Sequence, residues 1–217
     1  MTESTESIRV AIIGCGAQGL LAVEAFSLTG VDVAAVFDPI GQKVGQRLDD
    51  IEIQPFRGGD TYRELLRMGI RHFWAGVSDN VLKRTLYEAG VAEGLEAVSA
   101  IHPRTVISSR ATLGTNVMVN ASAVIQPLAK VEDGVVIHAN AIVEHGDWLE
   151  SFCRIGPGAC LSGWVHVGAE ATIGAGATVV EGIEVGQGAL IGAGAVVIRN
   201  VEPGVTVAGV PAKIIRK

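Results

Sequence analysis

From Ile101 to Val197 every sixth residue is Ile, Leu or Val, seventeen times in succession. A fixed short period of this kind marks a solenoid, in which each repeat packs only on its neighbours. The fourth residue after each aliphatic is almost always small or aliphatic too, as in Ile173-Gly-Ala-Gly-Ala-Thr and Ile191-Gly-Ala-Gly-Ala-Val. With one hexad per side, three hexads close a triangular coil, so residues 18 positions apart in the chain lie above one another. Both apolar places then face the interior, and glycine after the aliphatic suits a tight corner between short flat strands. Residues 100–217 are therefore expected to form a left-handed parallel β-helix of hexapeptide repeats.

Composition bounds the rest. The 217-residue chain is long enough for one large or two modest domains. Its 28 glycines and 5% aromatics suit a narrow aliphatic stack better than an aromatic core. A net charge of −6 argues against nucleic acid as a partner, because polyphosphate binding needs a basic surface. No apolar stretch is long enough to span a bilayer, and Met1 to Ser7 is polar rather than signal-like. Neither membrane insertion nor export is expected, which points to the cytoplasm. Cys15, Cys153 and Cys160 are odd in number and lack zinc or CxxC spacing, so reduced thiols are expected.

Residues 1–99 follow another grammar. Arg9 to Ile13 reads as a buried strand, Gly14-Cys-Gly-Ala-Gln-Gly19 as a glycine turn, Leu20 to Leu28 as a helix, and Val31 to Phe37 as a second strand ending at Asp38. After a Gly-rich loop, Asp60 is expected to cap a helix through Met68. His72 to Val77 forms a third strand, Ser78-Asp79-Asn80 caps a helix to Ala89, and Leu95 to Ser99 makes a fourth strand. The natural assembly is a small Rossmann-like parallel α/β sheet of about four strands. The overall class is thus α/β plus all-β.

The glycine turn has the G-x-G-x-x-G pattern between strand and helix, so the backbone N–H groups of Gly14, Gly16, Gln18 and Gly19 are candidates to meet a diphosphate. Asp38 is placed to accept from a ribose or base edge, and Asn80 joins the candidate substrate-binding residues. NAD is the common ligand of such a turn. With so few strands and no second mononucleotide half, a nucleotide-linked sugar fits better. Alternatively, the glycines serve only close packing of helix on strand.

A short Rossmann-like domain opening Ile-Ile-Gly-Cys-Gly-Ala-Gln-Gly, joined through Ile101-His-Pro to hexads and ending Ala208-Gly-Val-Pro-Ala-Lys213, resembles the sugar O-/N-acyltransferase family. Its members include sialic-acid O-acetyltransferases and N-acetyltransferases for UDP-4-amino-sugars of bacillosamine synthesis and for GDP-perosamine. The resemblance implies a homotrimer using acetyl-CoA as co-substrate, without metal, to acetylate the amine of a nucleotide-linked amino-sugar. It also implies a general base at the third place of a hexad, matched by His145 in Val143-Glu-His-Gly-Asp-Trp148. Gly163, 18 residues on, would offer its backbone N–H to the acetyl carbonyl. His138 falls where relatives carry an active-site Asn, a substrate contact. Ala175 and Ala193 would form one side of a pantetheine groove whose other side is the His145 and Gly163 corner, and Lys213 with Arg216 and Lys217 would attend the CoA phosphates.

The chain departs from the family beside the base. Bacillosamine-type relatives carry a second carboxylate where this chain has Gly146, while Asp147 is the lone charge among the fourth-after places. A buried unpaired carboxylate is costly, so Asp147 or Glu144 is expected to orient His145, with Asp147 favoured over Glu144; the alternative is an exposed Asp on a bulged turn. His138, His145 and His166 occupy the second, third and sixth hexad places, so they point to different sides and no zinc site is expected. His166 reads as surface and His102 as junction. Trp148 and Trp164 face outward, to cover a sugar or seal an interface. With no cysteine suitably placed beside a histidine, transfer is expected to be direct in a ternary complex. The alternatives are sugar O-acetylation, a non-catalytic nucleotide-sugar-binding regulatory or structural solenoid, and an NAD-dependent oxidoreductase.

Overall fold

A computed structural model describes residues 8–216, in two compact units, 1–103 and 104–217. In the first, β1 (Arg9–Ile13), α1 (Ala17–Leu28) and β2 (Asp32–Asp38) form the expected βαβ unit. They are followed by β3 (Arg47–Leu48), β4 (Ile51–Pro55), α2 (Gly59–Arg67), β5 (His72–Ala75), α3 (Asn80–Ala92) and β6 (Glu96–Ala97). The sheet order is β3-β4-β2-β1-β5-β6, parallel except for the β3–β4 pair. It has six strands, not four, because the Gly-rich segment contributes β3 and β4. Asp60 is a first-turn residue of α2 rather than its cap; Gly58 holds that place. Among the Ser78-Asp79-Asn80 candidates the cap is Asp79, whose carboxylate accepts from Leu82 N at 2.8 Å, and the helix runs on past Ala89.

The second unit is a parallel β-helix. Two-residue strands such as Val124–Ile125, Ile142–Val143 and Cys160–Leu161 pair in parallel at an 18-residue offset. They build three faces. The first carries the strands ending at Val119, Ile137, Ile155, Ile173 and Ile191, the second those ending at Ile125, Val143, Leu161, Val179 and Val197, and the third those ending at Val131, Leu149, Val167 and Val185. From Val119 to Val197 every residue of the aliphatic register is at most 2% exposed, whereas Ile101, Ile107 and Leu113 are partly exposed. The chain ends in an antiparallel return of Lys213–Arg216 on Thr206–Ala208.

The corners differ from expectation in how they use glycine. The left-handed residue is the third after the aliphatic, as at Gly146 (φ 70°) and Gly176 (φ 65°). The glycine immediately after the aliphatic is needed for a different reason: a Cβ on Gly174 would lie 2.6 Å from Ala193 N of the next coil. At Gly174 it is stacking distance, not backbone torsion, that excludes a side chain, although Glu132, Glu144 and Glu150 occupy the same place on other corners. Gly174→Ala is therefore expected to destabilise by about 1–3 kcal/mol through overpacking, lowering Tm by several degrees. Gly176→Asn, in open space and with a residue that tolerates φ > 0, should leave Tm nearly unchanged in the same melting experiment.

Candidate active site

His145 sits on the corner between the second and third faces, two residues past Val143. Its side chain is 52% exposed, and Nδ1 stands 3.3 Å from Glu144 Oε2. A carboxylate only accepts, so the proton of that contact belongs on Nδ1 and the lone pair is left on Nε2. Parallel stacking puts Gly163 directly beside the ring: a Cβ there would fall 2.6 Å from Cε1 and 2.8 Å from Nε2. Only glycine lets the imidazole lie against the backbone of the next coil.

The third corner reveals how such a backbone meets ligands. There Glu132 Oε2 accepts from Ser151 N at 3.1 Å and Glu150 Oε2 from Ala169 N at 2.9 Å. An acid at the first place of a corner thus reaches the amide at the second place, one coil on. Glu144 and Gly163 stand in the same relation, but the Glu144 carboxylate turns instead to the amide and Nδ1 of His145, both at 3.3 Å. An acceptor oxygen at Gly163 can then be supplied by a substrate.

Of the two acids considered for orienting the base, the contact is made by Glu144; Asp147 does not perform that task. Asp147 is fully buried, which rules out the exposed bulge, and both its oxygens bind backbone. Oδ2 accepts from Glu144 N and Oδ1 from Val165 N, each at 2.8 Å. Burial raises its pKa and the two amides oppose this, leaving it at about 7. The thiol of Cys160, on the second face, is pushed up by burial and by the Glu144 and Asp147 carboxylates, so the nucleophilic thiolate is disfavoured.

Gly146 is explained by Trp164. A Cβ at 146 would lie 2.4 Å from Trp164 Cε3, so the indole leaves no room for a side chain there. The same glycine-aromatic pairing recurs at Gly134 and Phe152, but Phe152 is 4% exposed and Trp164 is 55% exposed, with its ring edge-on to His145 at 5.9 Å. Trp148, also exposed, is stacked on His166 at 4.3 Å on the third face, with Nε1 donating to Glu132.

His138 does not join His145. It lies on the corner between the first and second faces, with Nδ1 3.3 Å from Asn120 Nδ2, and Ala175 and Ala193 are exposed on that same corner. The three histidines His138, His145 and His166 therefore sit on different sides of the coil. Lys213 is exposed in the C-terminal return, and Lys217 lies outside the described residues.

In the first unit the glycines divide by role. A Cβ on Gly14 would strike Gly76 O at 2.1 Å and one on Gly19 would strike Gly14 O at 2.0 Å, so packing demands both. Gly16 faces open space at the start of α1, where free N–H groups and the helix dipole favour an anion. Gln18 is buried, with Oε1 lacking a partner. Asp38 is also buried, and its oxygens take Ile40 N at 2.9 Å and Lys43 N at 2.7 Å. Burial works against the charged Asp38, but the amides of Lys43, Ile40 and Gly41 outweigh it and hold the group below the usual aspartate range. The loop so fixed places Lys43 Nζ 3.2 Å from Cys15 O, over the glycine turn. Sequence reasoning missed this cation, because nothing in the spacing of residues 39–46 shows that the loop folds back.

Asp147 makes stability depend on pH. The folded protein holds its proton to higher pH than the unfolded chain, so stability is fully present below the ordinary aspartate pKa and falls as pH rises to about 7. Melting of the wild type from pH 5 to 8 should show this decline, and Asp147→Ala should flatten it.

A family model described as the hexapeptide repeat of succinyl-transferase matches residues 164–199. No curated protein matches the sequence significantly. Among solved structures, a GDP-perosamine N-acetyltransferase from Caulobacter crescentus, in complex with CoA and GDP-perosamine, is 31% identical. It superposes with a TM-score of 0.90 over 96% of this chain and 97% of that one. The acetyltransferase domain of PglB from Neisseria gonorrhoeae FA1090, in complex with acetyl coenzyme A, is 30% identical, with a TM-score of 0.88 over 96% and 100% of the two chains. WeeI from Acinetobacter baumannii AYE, at 21% identity and a TM-score of 0.79 over 95% and 99%, shares the fold. With 31% identity over 96% of its length to a sugar N-acetyltransferase, the chain belongs to the sugar acyltransferases of the left-handed β-helix, hexapeptide-repeat class.

Proposed function

We propose that this protein transfers acetyl from acetyl-CoA to the amine of a nucleotide-linked amino-sugar. The observation that carries the reading is the stack of an exposed imidazole, tautomerically set by Glu144, on the backbone of Gly163. The sugar nitrogen attacks the thioester carbon, forming the C–N bond as the carbonyl electrons move onto oxygen. His145 Nε2 takes the proton lost by nitrogen, and Gly163 N–H receives the oxyanion. Collapse breaks the C–S bond, and the thiolate of CoA leaves with a proton from the imidazolium. The raised pKa of Cys160 disfavours an acyl-enzyme, in keeping with direct transfer.

The site is completed by a second copy in a homotrimer. The base corner and the Ala175 and Ala193 corner flank one face, the second, whose outward residues Val106, Val124, Ile142, Cys160, Thr178 and Val196 include no charge. The third face, by contrast, presents Lys130, Trp148, His166 and Glu184. Copies abutting along the second face bring one copy's base to its neighbour's His138, Ala175 and Ala193, with pantetheine between them and Lys213 near the CoA phosphates. In the N-terminal domain, Gly16, the start of α1 and Lys43 hold the diphosphate, while Asp38, spent largely on its own loop, positions Lys43. No described helix is long and apolar enough to cross a membrane; acetyl-CoA as donor is in keeping with a reaction in the cytoplasm.

Thiol release from acetyl-CoA across UDP-, GDP- and dTDP-linked amino-sugars tests the activity; no turnover on any amine, or a preference for hydroxyl acceptors, would overturn the reading. His145→Ala should lower kcat by about 10²–10⁴. Lys43→Ala should raise KM for the nucleotide-sugar about tenfold with kcat little changed, the loss of one charge-assisted contact.

A further inference from the structure

Asp147 breaks the hydrogen-bond pattern of the coil at the corner beside the base. At most corners the amide of the inward residue closes the turn onto the carbonyl three residues back, as Ala141 N does on His138 O and Ala177 N on Gly174 O, whereas Val135 N and Ile183 N make no such closure. At the Gly163 corner Val165 N goes instead to Asp147 Oδ1 of the preceding coil. Likewise the residue after the aliphatic ordinarily donates to the coil above, as Gln126 N does to Val143 O and Ser162 N to Val179 O, but Glu144 N donates to Asp147 Oδ2. The neighbouring ladder is otherwise retained: Trp164 N donates to His145 O at 3.0 Å and Gly182 N to Gly163 O at 3.1 Å.

The two amides taken up by Asp147 flank the two site residues. Glu144 N immediately precedes His145, and Val165 N lies two residues after Gly163. At the neighbouring corners a small inward residue is enough, and Ala141 N and Ala159 N close their turns without help from a side chain. Burying a carboxylate there is unfavourable, and its cost is offset only by these contacts. We infer that Asp147 is a positioning residue: it ties the Ser162 to Val165 turn to the coil below, setting the Gly163 amide against the His145 ring. It acts through backbone and touches neither substrate nor imidazole. The inference rests on the acetyl-transfer reading for its effect on rate, though not for its effect on geometry.

The test is Asp147→Ala, which restores the common hexad residue, with Asp147→Asn as an isosteric companion able to accept only one of the two amides. If Asp147 positions the oxyanion donor, Asp147→Ala lowers kcat by about tenfold or more, with KM for acetyl-CoA changed less than about threefold and Tm not lowered. The pH–rate profile should keep its shape and lose height, because Glu144 still sets the base. A crystal structure of Asp147→Ala should show Val165 N released from the coil below and the Gly163 peptide turned. Should Asp147→Ala not fold, the same fall in kcat at unchanged KM is expected of Asp147→Asn. Unchanged kcat in a folded variant, or a Gly163 corner identical to the wild type, would overturn the inference. A wild type without acetyl transfer would instead overturn the functional reading, while the corner geometry still decides the positioning.

Discussion

The second unit depends on one interaction, the parallel backbone pairing of residues 18 apart, as at Ile142 with Cys160 and Val143 with Leu161. Each coil satisfies its peptide groups on the next, so the chain needs no wide sheet and no large aromatic core. The interior shrinks to two rows of apolar places per side, and the close approach of coils forbids a Cβ at positions such as Gly156 and Gly174. The same pairing sorts the outside into rows with distinct chemistry. His145 and Gly163 fall in one row, Ala175 and Ala193 in another, and the face between them carries no charge.

Within so regular a frame, a carboxylate's role is decided by where its place points. Glu144, partly exposed at a corner, meets the imidazole, whereas Asp147, three residues later, points inward and binds only amides. Environment separates them further, since burial pushes the Asp147 pKa up to about 7. Trp164 adds a steric element: by lying over Gly146 it leaves no room for a side chain there, and the His145 imidazole meets Glu144.

Most of the β-helix was legible because its period comes from stacking that every coil repeats. The inward charge of Asp147 could be seen in the register; its partners could not, because side-chain hydrogen bonds to backbone leave no spacing pattern. For the same reason Asp147 was favoured over Glu144 as the orienting acid. In the α/β unit the alternation of strands and helices was readable, but β3 and β4 were not: Arg47–Leu48 is a two-residue edge strand, and in Ile51–Pro55 only Ile53 is buried, too little burial to impose a pattern. Lys43 was hidden by the same loop. Gly16 shows what the glycine motif alone leaves undecided, since only the packing around Gly14 and Gly19 separates structural glycines from one that faces open space.

The central claim is that the imidazole of His145 works against the bare backbone of Gly163. Gly163→Ala tests it directly, because the added methyl would stand 2.6 Å from His145 Cε1. Acetyl transfer to the amino-sugar measured in this variant should fall by about 10²-fold or more while the coil remains folded by circular dichroism. Full turnover in a folded Gly163→Ala protein would contradict the account.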